Sequence, residues 1–167
     1  MRKRLTAIGT AILLSAAVSK GHTQGAAKPL VRATMPSDVG IELLGKALLY
    51  SFSYQRMVGT SLGLEFGFGA LGSGGSSGSS AIMFFPVSAK LYLIPKDGTL
   101  YLTGGAVLVT ASTSSGPLDN AADFYGDVGL GFEFRSTGGF LFRGTAYTLF
   151  ANGEYFIWPG ITLGYAF

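Results

Sequence analysis

The 167-residue sequence predicts an all-β fold: a closed antiparallel up-and-down transmembrane β-barrel of eight strands. Three observations lead there. Apolar residues recur with period two in one stretch after another. Apolar residues make up 48% of the chain and charged residues only 13%, against about 25% charged in an average soluble domain. Beyond the N-terminus, no stretch offers the roughly 18 consecutive apolar residues that a membrane helix needs. Apolar content that is neither helical nor balanced by surface charge suits a sheet whose outer face meets lipid.

The N-terminus reads as a targeting segment. Arg2, Lys3 and Arg4 precede the apolar run Leu5 to Val18, which has the length of a secretory signal peptide. Residues 1–27 are assigned to it, with small residues suiting cleavage at several places between 17 and 27; a retained anchor is the alternative. Residues 28–37 (KPLVRATMPS) read as an unstructured periplasmic leader, and 38–167 as the barrel. The net charge of +3 comes from the N-terminus: from residue 33 onward six bases face nine acids. The basic balance therefore gives no ground for nucleic-acid binding. Cysteine is absent, which excludes disulfides and thiolate sites.

The strands are read in order at 38–45, 47–56, 60–71, 81–94, 99–112, 124–135, 139–151 and 157–167. Leu48, Tyr50, Phe52 and Tyr54 alternate with small or polar residues, as do Leu62, Leu64, Phe66 and Phe68, and then Val128, Leu130, Phe132 and Phe134. The first break, at Gly45-Lys46, rests on the even strand number expected when both chain ends lie on one side; without a turn there the count is seven. Met57 to Gly59, Pro95 to Gly98 and Ser136 to Gly139 are short turns; 72–80, 113–123 and 152–156 are longer loops. Pro86 and Pro159 fall inside strands and predict bulges or strand ends, because proline removes a ladder donor. The stretch 101–112 (YLTGGAVLVTAS) is apolar at both parities, so its faces cannot be assigned.

Elsewhere alternation sorts the two faces. Phe52, Leu64, Phe66, Phe85, Val87, Leu91, Leu93, Val128, Leu130, Phe132, Phe140, Phe142, Ile161 and Leu163 form the outward, lipid-facing set. The other face is mostly Gly, Ser and Thr with isolated charges: Glu42, Glu65, Lys90, Asp127, Glu133, Arg135 and Arg143. Eight strands leave room only for side chains, so these seven are expected to form a barrel-interior polar network of paired charges. Tyr50, Tyr54, Phe124, Trp158, Tyr165 and Phe167 fall near strand ends, where aromatic girdles sit.

The chain closes on GITLGYAF, in which Ile161, Leu163, Tyr165 and Phe167 alternate to a terminal aromatic. With the alternating strands before it, this resembles the small outer-membrane β-barrels of Gram-negative bacteria, the OmpA/OmpX-like and porin-like group. LLYSFSYQR (48–56), GGFLFRGTAYTLF (138–150) and WPGITLGYAF further resemble barrels of Bacteroidota. The resemblance implies outer-membrane localisation after export, contact with outer-membrane lipid, a monomer, and a C-terminal assembly signal (Ile161, Leu163, Tyr165, Phe167) read by the barrel-assembly machinery. It implies no cofactor.

No constellation points to catalysis. By resemblance, outer-membrane lipid deacylases and acyltransferases use a His with a Ser and an acid. The single histidine, His22, lies in or beside the signal peptide, and a serine without a base is poorly activated. Asp127 and Glu133 stand about 20 Å apart along one strand at about 3.3 Å per residue. Asp119 and Asp123 share a loop without calcium-loop spacing, so no metal site is expected. GFGALGSGG (67–75) lacks the Lys-Ser/Thr of a phosphate loop. Three functions stay open: a filled barrel with a structural or surface-loop role, a narrow porin-like channel, and a lipid-modifying enzyme.

Overall fold

The structure, a computed structural model, describes residues 29–75, 78–113 and 121–167. The expected signal segment, residues 1–27, lies outside the described residues. Eight antiparallel strands close into a barrel in chain order: β1 (Ser37–Leu44), β2 (Tyr50–Met57), β3 (Leu62–Gly75), β4 (Gly78–Tyr92), β5 (Gly98–Thr113), β6 (Ala121–Arg135), β7 (Phe140–Ala151) and β8 (Glu154–Ala166). Closure is made by β1 on β8, from Asp38 opposite Ala166 to Leu44 opposite Gly160. Ser37 and Phe167 extend it with two reciprocal backbone hydrogen bonds of 3.0 and 2.8 Å. A closed sheet satisfies its own backbone, the condition for crossing hydrocarbon.

Period-two side chains produce the two faces. The fourteen residues assigned to the outward set all point away from the axis, Phe142 being half-buried and the rest exposed. The unassigned stretch 101–112 resolves as well. Thr99, Tyr101, Thr103 and Val107 turn inward, and Leu100, Leu102 and Leu108 outward. Its two apolar parities arise because the lumen itself becomes apolar along this strand.

Several expectations need correction. Neither proline produces a bulge; register is unbroken along every pair. At Pro86 the β3–β4 ladder instead lapses for two positions, between Phe66 opposite Val87 and Gly69 opposite Phe84. A Cβ on Gly67 would lie 2.7 Å from the Pro86 ring, so glycine makes room for it. Pro159 pairs with Ala146 on one side and sits just past the end of β1 on the other. There the missing N–H has no ladder to break. The loop expected at 72–80 is shorter, with β3 reaching Gly75 and β4 starting at Gly78. The loop expected at 152–156 is a two-residue turn: Asn152 and Gly153 have φ of 52° and 88°, the Asn-Gly hairpin geometry.

Both ends of the lumen carry a stopper. The break at Gly45-Lys46 is a true turn, and it folds inward as a 3₁₀ turn, Gly45–Ala47, with all three residues buried. Leu44 and Leu48 flank it at φ 59° and 69°, left-handed positions that non-glycine residues adopt only under constraint. The leader is not unstructured at the other end. Val31–Thr34 form one helical turn, α1, with Val31 and Arg32 buried. Its Val31 N–H donates to Asp97 Oδ1 at 2.9 Å.

Candidate functional site

The lumen holds two layers. Toward the short turns lies an ionic layer. Glu42, Glu65, Lys90, Asp127, Glu133, Arg135 and Arg143 are all buried, because each occupies an inward parity of its strand. Arg143 on β7 is its hub. Its Nη2 donates to Asp38 Oδ2 at 2.8 Å, its Nε to Glu133 Oε2 at 2.6 Å, and its Nη1 reaches Glu65 Oε2 at 3.5 Å. Arg135 donates to Asp38 Oδ2 at 2.5 Å and to Glu133 Oε1 at 2.7 Å. Glu65 accepts from Lys90 and from Lys46. Tyr92 O–H donates to Glu133 Oε2 at 2.6 Å, and Tyr147 O–H to Glu42 Oε1 at 2.7 Å.

Glu65, Lys90, Glu133, Arg135 and Arg143 thus belong to one connected network. Glu42 is joined to it through the turn, its Oε2 accepting the Lys46 backbone N–H at 3.2 Å. Asp127 stands apart: neither carboxylate oxygen has a hydrogen-bond partner. Reasoning by strand parity missed Lys46 and Arg32, which do not sit on strands; Asp38, also missed, shares the inward parity of Glu42 on β1, and that parity was the signal for it. Lys46 reaches down from the 3₁₀ turn to Glu65 and to Ser88 Oγ, the latter at 2.9 Å. Burial works against its ammonium, but the Glu65 and Glu42 carboxylates outweigh that and hold its pKa above the ordinary lysine value. Arg32 lies 4.7 Å above the Tyr92 ring and donates from Nη2 to Ile94 O at 3.0 Å. Burial pulls its pKa below the usual arginine value.

Toward the loops the layer is apolar. Ala47, Phe84 and Val107 are buried together, packed by Leu48, Leu71, Val109 and Tyr125. Trp158, expected in the outer girdle, turns instead toward this end, its indole N–H donating to Leu48 O at 3.3 Å. It shares a parity with the buried Gly160 and Thr162, which places it on the axis side.

Small residues make room for large ones. A Cβ on Gly131 would lie 2.4 Å from the Tyr101 ring. The Tyr101 hydroxyl is 2.5 Å from Thr145 Oγ1. Glycine and tyrosine are thus matched across strands. Asp119 lies outside the described residues, and no group of three or more potential metal-ligating side chains occurs among the described ones. The geometry can exclude solvent and lock register.

No protein-family model matches the chain, and no curated protein matches it in sequence. Solved structures do match in fold. The N-terminal β-barrel domain of Pseudomonas aeruginosa OprF aligns at a TM-score of 0.57 and 12% identity, over 78% of this chain and 95% of that one. Ail, the attachment invasion locus protein of Yersinia pestis, in complex with the heparin analogue sucrose octasulfate, aligns at 0.51 and 15% identity, over 78% and 92%. The chain has the eight-strand, all-antiparallel barrel fold of these outer-membrane proteins.

Proposed function

We propose that this chain is an integral outer-membrane barrel with a sealed lumen, serving to hold its loop end outside the cell. The observation that carries the reading is the pairing of two surfaces. An exposed apolar girdle surrounds the wall, while Arg143, Arg135, Lys90, Lys46, Glu65 and Glu133 fill the axis with almost no solvent access. Exposed Phe and Leu on this scale would aggregate a soluble protein, and a paired ionic interior leaves no continuous water path. The signal segment exports the chain. Ile161, Leu163, Tyr165 and Phe167 present the final strand to the barrel-assembly machinery, and the barrel works as a monomer in outer-membrane lipid. Rigid strands then position the loops for contact. We read the chain as non-catalytic.

A second reading, a narrow channel for small solutes, draws on Ser51, Ser53, Thr103 and Asp127, buried polar side chains with atoms that lack partners. Such groups can line a thread of water. One experiment separates the two. The purified protein migrates faster unboiled than boiled on a gel, stays in alkali-washed membranes, and gives no steady conductance in planar bilayers. Loss of the first two behaviours overturns the barrel in the membrane; steady openings overturn the sealed lumen.

A further inference from the structure

Charge is divided between the two ends of the barrel. Among the described residues the exposed bases are Arg56 and Lys96, both at the short-turn end. The exposed acids are Asp123 on β6 and Glu154 at the start of β8, both at the loop end. Among the described residues the only base near the loops, Lys46, is buried on Glu65. The surface turned outward is therefore acidic, the opposite of what an anionic ligand such as a sulfated sugar requires.

The two exposed acids flank one groove. The last β6–β7 pair is Gly126 opposite Phe150, and β7 ends at Ala151, so residues 121–125 of β6 run on past it. The cleft between that extension and the β7–β8 turn is a groove of about 480 Å³, lined by Asp123, Phe124, Phe150, Glu154 and Tyr155 among others. Phe124 and Tyr155 are 73% and 76% exposed, among the most exposed large side chains on the molecule. Both stand on the outward parity, about ten residues from the opposite girdle aromatics Phe134 and Tyr165. That separation spans about 25 Å once strand tilt is included, the height of the apolar band. The groove thus lies at the outer edge of the membrane, aromatic toward lipid and acidic toward water.

From this we infer a docking site for a basic amphipathic peptide segment, one that sets a Lys or Arg between Asp123 and Glu154 and an apolar neighbour against Phe124 and Tyr155. Charge complementarity selects the sign of the partner. The aromatic faces favour a cation flanked by apolar surface. The continuation of β6 past β7 offers a strand edge to an extended segment. The inference rests on the orientation proposed above, loop end outward.

The test uses the full chain as assembled in the outer membrane, purified into nanodiscs of zwitterionic phosphatidylcholine. The probes are a fluorescent eight-residue alternating Lys–Leu peptide and its Glu–Leu counterpart. The Lys–Leu peptide binds the wild type, and the double variant Asp123→Asn, Glu154→Gln weakens it about tenfold or more. Phe124→Ser weakens it too, with the Glu–Leu peptide inert throughout. Heat-modifiable migration is retained in every variant, so failure of the groove is distinguishable from failure of the barrel. Equal binding to empty nanodiscs, to the double variant or by the Glu–Leu peptide overturns the site. So does a response to magnesium ion alone with none to the peptide.

Discussion

The two layers of the lumen solve the same problem with opposite chemistry. The ionic layer fills the axis with charges that share partners: the three acids Asp38, Glu65 and Glu133 against the four bases Lys46, Lys90, Arg135 and Arg143. The apolar layer fills it with Ala47, Phe84 and Val107, which need only fit. Packing tolerates small misfits, whereas a buried charge without a partner is costly, and Asp127 is the exception that bears that cost. The ionic layer therefore specifies register and the apolar layer supplies cohesion around the inward turn.

Variants can break this contrast, and the largest effect belongs to the hub. Arg143→Met removes one cation from Asp38, Glu65 and Glu133, leaving Arg135 as the remaining cation on Asp38 and Glu133, and costs about 3–5 kcal/mol, read as a lower urea midpoint for unfolding from lipid vesicles. A loss below about 1 kcal/mol would mean the layer is not specified by pairing. Phe84→Ala leaves a void in the apolar layer and costs about 3 kcal/mol. The same titration measures it, with the barrel still closed by gel shift. Gly131→Ala forces a methyl into the Tyr101 ring and costs about 1–3 kcal/mol, seen as a lower temperature for loss of the fast-migrating band. Asp127→Asn has the opposite sign. A buried carboxylate without a partner is a liability, so the amide raises stability by about 1 kcal/mol. A loss of that size would mean Asp127 carries a partner after all.

How much of this was legible depends on whether a residue sits on a strand. Alternation separates Phe66 from Glu65 and Phe132 from Glu133 because one face of the wall is exposed and apolar and the other buried and polar. It fails for β5, where the inward face changes from Tyr101 and Thr103 to Val107 within one strand. That change is the boundary between layers, which period two does not encode. Parity could place Glu65 inside but could not say that it meets Lys46, a turn residue, because a turn folded into a lumen leaves no periodic mark. Arg32 was hidden for the same reason: a leader that plugs an opening looks in sequence like one that does not. A lone base beside glycine in a turn, with Glu42 four residues before it, was the available signal for Lys46. For the β7–β8 turn the Asn-Gly pair was present and pointed to a tight hairpin.

The Asp38 contacts have a kinetic consequence. Asp38 stands on the first strand, while Arg135 and Arg143 follow 97 and 105 residues later. No early hairpin contains both sides of these bonds, so they form only when the first strand meets the last. Until that moment the lumen stays hydrated and Asp38 is solvated apart from Arg135 and Arg143. Closing the seam dehydrates these three charges together, which makes it a late and cooperative step in a fold already slowed by distant contacts.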